Sequence, residues 1–405
     1  MRLPPPPPPG DETLRWVAEH LGDLTLEGAR GVTRSAFTGG QTAADAALAA
    51  LDVSGYARRR SAVLPVGARG ASRMSPYLRH NLVTLPEAWS AVAGAPPSDR
   101  DRYRDELMWQ EYARHLYART GAALGSSLRS EQPRVARQWK DPWPDEMRCM
   151  QELTRELTTD GWLVNQSRMW MASQWAVRAG ADWRAGEDRF FTHLVDGSRA
   201  ANRLGWQWTV GTGSGKPYGF SRWQVEKRAP QLCRECPLAE RCPVQEWPPT
   251  TPLTPTDGPD LGRGEIPAGP DAVVGGGADQ VWLTAESLGD GDPALDADPG
   301  RPVVFVFDEP LLRRLALSGK RLVFLADTLG DLATRREVEV RRGAVADELT
   351  GRSLAVTHAP VPGFATRARA VRPVELHPWP WLVRPRPAPV RSFTSWSRAV
   401  GRPGH

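Results

Sequence analysis

The 405-residue chain has only four cysteines and six tyrosines, and almost no alternating strand-like pattern before residue 230. No segment approaches the ~20 unbroken apolar residues that a membrane-spanning helix needs. The cysteines number four, and the expected cytosolic setting argues against disulfides among them. The start lacks a charged stretch followed by an apolar one, so no secretory leader is read there and a soluble, cytoplasmic protein is expected. Net charge is small: +5 permits an anionic partner without demanding one. Arg222 and Arg228 could meet phosphates, although solvated surface charge accounts for them equally.

Against these shortages stand seventeen tryptophans. Indole is bulky and its N–H needs a partner when buried, so such usage fits dense packing, stacking on planar ligands or electron hopping. Apolar residues make up 40% and charged residues 24%, a globular balance, and the length predicts two domains. Residues 4–9 are all proline, which favours an extended segment without a packed role. Apolar residues then recur at three and four from Glu12 to about Pro230, as in Thr42–Leu51, Arg102–Tyr117 and Met147–Leu157, predicting a mainly α region. From Trp247 to Asp279 the composition turns to Pro, Gly, Thr and Asp and predicts a linker. Beyond it, Gln280–Thr284, Pro302–Phe307, Val338–Arg341 and Leu354–Thr357 read as strands, with a helical stretch over Pro310–Leu332; strands alternating with helices predict a small α/β domain with a parallel sheet. The resulting division is a Pro-rich lead and N-terminal helix at 1–32, a helical domain at 33–232, a Cys-rich loop at 233–249, a linker at 250–279 and the α/β domain at 280–400.

The stretch from Asp182 to Trp208, DWRAGEDRFFTHLVDGSRAANRLGWQW, resembles the signature of the flavin-binding helical domain of the photolyase and cryptochrome family. The resemblance extends through FTGGQTAADAAL, Tyr56, ASRMSPYLRHNL and RDELMWQEYARHLYAR, roughly residues 36–220. It implies FAD as cofactor. Ser72, Arg73 and Ser75, together with Met74, would stand at the flavin phosphates, with Tyr56 and Tyr103 nearby; hydroxyls and a cation at a helix entrance suit a diphosphate, and as bare residues the two serines serve equally as helix caps. Asp196 would contact the flavin ring, Asn202 would face its N5, and Arg168 would sit near the ring and Asp196. Ser198 stands where the family has a second Asp, a departure at one ring or ribose contact.

The resemblance also implies a pocket above the flavin for a pyrimidine dimer turned out of DNA, made by Glu106, Trp109, Asn165, Met169 and Trp208. Trp206 and Trp183 match the inner and middle members of a tryptophan electron path; Trp139 and Trp143 both fit the outer one. The activity implied is light-driven repair of cyclobutane pyrimidine dimers by electron transfer from reduced FAD. The alternatives are a cryptochrome-like photoreceptor without repair and a (6-4) photolyase. UV-damaged DNA is the expected partner, with a monomer and no membrane.

Cys233, Cys236 and Cys242 follow a C-x2-C-x5-C spacing that resembles the iron–sulfur loop of DNA repair endonucleases. With Cys149 as fourth ligand they would hold a 4Fe–4S cluster; the same thiolates could hold zinc, or the cysteines could remain free or pair as disulfides. Finally, VWLTAESLGDGDPAL, VVFVFDEPLL and SFTSW are similar to the α/β domain with which the family normally begins. That similarity implies a circular permutation, a Rossmann-like domain moved to the C-terminus. Ala285, Glu286 and Ser287 replace the usual Arg-Asp pair, which argues against an antenna chromophore held in the family's way.

Overall fold

The structure, a computed structural model, describes residues 1–132, 139–249 and 252–403. Strand β1 (Arg2–Leu3) opens the chain and is followed by the proline run and helix α1 (Asp11–Leu21). The run is packed, contrary to the expectation from composition. A proline lacks its N–H but keeps an accepting carbonyl. Trp16 Nε1 donates to Pro4 O at 3.2 Å and Thr13 Oγ1 to Pro8 O at 3.0 Å, which lays the run along α1. Pro7 O approaches Gly330 so closely that a Cβ there would lie 2.0 Å away.

Hydrophobic spacing of three and four then builds helices α2 (Gln41–Ala49), α3 (Ser75–Arg79), α4 (Pro97–Thr120), α5 (Arg148–Thr159), α6 (Asn165–Ala172), α7 (Trp183–His193) and α8 (Arg199–Val210). Helix α4 carries Pro at its first position, where the missing N–H is harmless, and buries Tyr103 and Leu107 on one face and Tyr112 and Leu116 on the opposite one, each in a different apolar core. In its first turn Asp99 accepts from the N–H groups of Gly55 and Ala57 at 2.8 and 2.9 Å, fixing Tyr56 against the helix. Helix α8 ends at Gly211, whose φ of 88° is a left-handed stop that glycine adopts without a Cβ clash.

The sheet is formed by β2 (Val274–Gly275), β3 (Gln280–Leu283), β4 (Val303–Asp308), β5 (Val338–Gly343), β6 (Leu354–Thr357) and β7 (Glu375–His377), with helix α9 (Gly319–Ala333) between β4 and β5. Its order is β1-β5-β4-β3-β6-β7-β2. The five inner strands are parallel, and β1 and β2 close the edges antiparallel. The first residues of the chain thus complete a sheet made by the last third. The helical stretch expected over Pro310–Leu332 is broken at Ala316, whose φ of 44° separates Glu309–Leu315 from α9.

The Trp247–Asp279 linker, of which residues 250 and 251 lie outside the described residues, is also packed. Leu261 and Ile266 are buried with Leu116, Leu124 and Trp396, the last on helix α10 (Phe393–Val400). Arg263–Gly264 pairs with Ala388–Pro389, and Arg119 ties Gly262 O to Ala388 O. Two apolar anchors and one guanidinium hold a segment whose composition alone predicts no burial. One continuous apolar core joins the two parts of the molecule, with Trp16, Tyr77, Phe307 and Phe324 among its members; a second surrounds Trp143, Trp206 and Cys149. No helix among the described residues is long and apolar enough to cross a membrane.

Candidate functional site

A cleft of about 520 Å³ opens in the helical part, bounded by α3, α4, α6 and α8, with Glu286, Pro360, Val361 and Trp379 of the α/β part on its wall. That volume is in the range of small-molecule and cofactor sites. Tyr56, Ser72, Arg73, Ser75, Tyr103, Arg168, Asp196, Ser198 and Asn202, all expected around a flavin, line it. Met74 does not; it is buried in the apolar core at the start of α3.

The polar groups are held before any ligand arrives. Arg168 donates to Asp196 Oδ2 at 2.7 Å and to Leu163 O at 3.0 Å. Asp196 Oδ1 is buried with no hydrogen-bond partner among the described residues, an acceptor on a residue of the cleft wall. Asn202 Nδ2 donates to Glu187 O and Oε1 at 3.0 and 2.8 Å, so what this amide has left to offer is its carbonyl oxygen. Burial raises the Glu187 carboxyl, and Arg199 and Arg203 oppose that shift. Arg73 adopts φ 58° and spreads its guanidinium over Phe37 and Trp162, 4.5 and 5.2 Å from the ring centroids. Ser75 Oγ accepts from Trp162 Nε1 at 2.9 Å, and burial pushes the Tyr103 hydroxyl up to about 12.

Glu106, Trp109, Asn165, Met169 and Trp208 line the same cleft. Glu106 pairs with Arg60 Nε at 3.1 Å. Trp109 stacks on Phe393 of α10 with centroids 4.1 Å apart and planes 10° from parallel. Trp208 is 40% exposed and tilts against Tyr218 at 5.6 Å, an indole face open to a planar partner. Asn165 begins α6 and points its amide at Met169 Sδ, 3.8 Å away.

Around Trp206, which also lines the cleft, ring contacts run through Phe190 at 5.1 Å to Trp143 at 5.6 Å, and from Trp143 to Trp175 at 4.7 Å. Trp183 is fully buried on α7 in the same core, and Trp139 is half-buried. Sequence reasoning missed Phe190 and Trp175; a planar neighbour contributed by another element leaves no local signal. It also missed Arg79 and Glu286, whose bidentate pair at 2.7 and 2.8 Å joins the helical part to the α/β part beside the cleft.

Cys149, Cys233, Cys236 and Cys242 line one small cavity, walled otherwise mainly by apolar side chains such as Val225, Leu232 and Val244. Burial pushes the Cys149 thiol far up, the three neighbouring sulfurs add to the shift, and Cys233 is raised to about 11. The four side chains thus line one cavity, and burial there favours the neutral thiol at Cys149, Cys233 and Cys242 unless a cationic centre compensates the thiolates. Among the described residues, however, no group of three or more His, Cys, Asp or Glu side chains is disposed to hold a metal ion. The donor chemistry fits a thiolate-bound centre; the 4Fe–4S cluster itself is not shown.

Residues 103–228 match the family model described as the FAD binding domain of DNA photolyase. The chain is similar to a deoxyribodipyrimidine photo-lyase of Synechococcus, 31% identical over 166 residues that make up 36% of this chain and 33% of the relative. It is also similar to a cryptochrome DASH of Vibrio parahaemolyticus, 28% identical over 190 residues, 44% of this chain and 39% of the relative. A solved bacterial class III photolyase from Agrobacterium tumefaciens aligns with a TM-score of 0.43 and 26% identity, covering 49% of this chain and 45% of that one. The chain spans about a third of the length of the first of these curated relatives. The matched range holds Tyr103, Asp196, Asn202 and all five residues expected above the flavin, and leaves out Tyr56, Ser72, Arg73, Ser75 and three of the four cysteines.

Proposed function

Through its residues 103–228 this chain belongs with the photolyase and cryptochrome family, and from that premise we propose that it repairs cyclobutane pyrimidine dimers in DNA in a light-driven reaction of reduced FAD. The observation that carries the proposal is the convergence of two residue sets, scattered from Tyr56 to Trp208, on one cleft. FAD, when bound and reduced, would supply light-driven electron-transfer chemistry toward the dimer with no net redox change. The residues supply position and electrostatics. Ser72, Ser75 and Arg73 offer hydroxyls and a cation to the diphosphate, and Asp196 offers its free Oδ1 to a ring N–H. Asn202, with Nδ2 committed to Glu187, presents an acceptor, which suits the protonated N5 of reduced flavin. Trp109 and Trp208 would flank a dimer turned out of the stack, Glu106 would hydrogen-bond its pyrimidine edge, and Asn165 and Met169 would complete the wall. Trp206 is read as the first electron donor for flavin reduction, with Trp183 next and Trp139 or Trp143 outermost.

The proposed organisation keeps a helical FAD-binding domain at 33–232 and an α/β domain at 280–400. Pairing of β1 with β5 supports a circular permutation, because the first residues are then continuous in space with the domain at the end. A 4Fe–4S cluster on Cys149, Cys233, Cys236 and Cys242 is proposed as a structural tie between α5 and the following loop. The partner would be UV-damaged DNA, met by a monomer in the cytoplasm. Likeness to a cryptochrome keeps a photoreceptor as the second reading. The test is illumination of flavin-loaded protein with oligonucleotides carrying cyclobutane or (6-4) lesions: loss of the cyclobutane dimers alone supports the proposal, and normal photoreduction without loss of either lesion establishes the photoreceptor.

A further inference from the structure

The start of α9 is wedged against the loop that lines the cleft. Ser318, just ahead of the helix, donates its N–H to Thr192 O at 3.0 Å. Lys320 is buried with its stem against Gly161, where a Cβ would come within 2.6 Å of Lys320 Cδ. Arg321 donates to Phe191 O and, at 3.0 Å, to Gly197 O. Arg79 reaches the same Gly197 O at 3.0 Å while Glu286 holds its other end. Gly197 has no room for a side chain: a Cβ would sit 2.7 Å from Leu194 O and 3.1 Å from Arg321 Nη1. The Asp196–Ser198 turn is thus gripped from behind by the sheet-bearing part of the molecule.

The cations at this turn are not equivalent. Arg79 is neutralised by Glu286 and Arg168 by Asp196. Arg321 is only 6% exposed and, among the described residues, forms no ion pair; its bonds go to uncharged carbonyls. Burial, with the like charge of Arg79 adding and Asp196 opposing, pulls it down to about 9, so it stays charged at neutral pH. A buried cation without a counterion is expensive, and its field reaches further than that of an exposed one.

We propose that Arg321 is a positioning residue for the flavin: it fixes the Asp196–Ser198 turn from the α/β part, and its uncompensated charge favours the anionic reduced cofactor over the oxidised one. The inference rests on the reading of the cleft as a FAD site. The sheet-bearing part would then set flavin electrostatics whether or not it carries a chromophore of its own.

The test uses the full chain loaded with FAD and reads cofactor stoichiometry, thermal midpoint and the two-electron midpoint potential at pH 7. Arg321→Gln keeps a donor for Gly197 O and removes the charge. It should retain FAD while shifting the oxidised-to-reduced balance about tenfold toward oxidised, a fall of about 30 mV. Arg321→Lys should restore most of the potential. Glu286→Gln leaves the charge of Arg79 uncompensated and should move the potential the opposite way, which keeps the inference open to refutation if Arg321→Gln does not fold. A structural arginine would lower the thermal midpoint in the Arg321 variants and leave every potential at the parent value; that result overturns the inference while leaving the FAD site intact. A parent protein that takes up no FAD overturns both.

Discussion

The cleft and the cysteine cavity are both assembled from side chains far apart in the chain, but they are fixed in different ways. In the cleft the polar groups are locked by one another: Arg168 by Asp196, Asn202 by Glu187, Arg79 by Glu286. In the cavity Cys149 sits on the firm scaffold of α5, whereas Cys233, Cys236 and Cys242 lie on a five-residue helix and the loop after it, with Cys236 Sγ 3.8 Å from Glu146 O as a weak tie. The cleft's polar groups are fixed by ion pairs and hydrogen bonds within the protein, whereas three of the four cysteines are carried on a short helix and a loop.

The largest expected effect exploits that difference. For the proposed 4Fe–4S cluster, Cys149→Ser should lower iron and acid-labile sulfide from about four per chain to near zero and speed proteolysis and hydrogen exchange over 233–249, while FAD stoichiometry stays near one; a parent protein without iron would contradict the cluster. Parallel loss of flavin and iron would show that the two sites are not independent. Next in size, Asp196→Ala removes the partner of Arg168 inside the cleft; Asp196 is buried but the Arg168 side chain is 24% exposed, so the cost should fall below the about 3–5 kcal/mol of a fully buried pair. Denaturant unfolding should show the loss together with weakened FAD retention.

A third change leaves both scaffolds intact. Trp208→Ala should lower the preference for dimer-containing over undamaged oligonucleotide by ~1–3 kcal/mol, the worth of one base–aromatic stack, with flavin content and photoreduction preserved. The smallest effect concerns the face of α4 turned away from the cleft. Burial raises the Glu111 carboxyl to about 7, against the opposing charge of Arg114 and an N–H from Val383. A folded-state value above the unfolded one means that the native state holds the extra proton, so this group makes stability fall as pH rises from about 4.5 to 7. Glu111→Gln should flatten that part of the stability profile; a parallel pair of profiles would show that Glu111 titrates normally.

What the sequence made legible follows the same division. Helices α2, α4 and α5 and strands β3 to β6 were readable because a half-buried element repeats its apolar residues with its own period. The residues of the cleft were readable through resemblance, and all the residues expected around flavin and substrate except Met74 line its wall, while Trp183, expected on the electron path, stands away from it in the core. The proline run and the linker were misjudged, since composition measures what a segment can bury by itself and both are anchored by partners elsewhere: Trp16 and Gly330 for the run, Arg119 and Trp396 for the linker. The contacts of Arg321 with Gly197 and of Phe393 with Trp109 join residues more than a hundred positions apart, which no local pattern records.

The central claim, that one cleft holds both flavin and lesion, is tested most directly by repair itself. Anaerobically reduced, FAD-loaded protein is mixed with an oligonucleotide carrying a single cyclobutane thymine dimer, and intact dimer is followed in the dark and under blue light. Loss of the dimer is expected only in the light, slowed in Glu106→Ala and unaffected in Trp206→Phe when the flavin is already reduced. Bound flavin that photoreduces normally while the dimer survives equally in light and dark would contradict it.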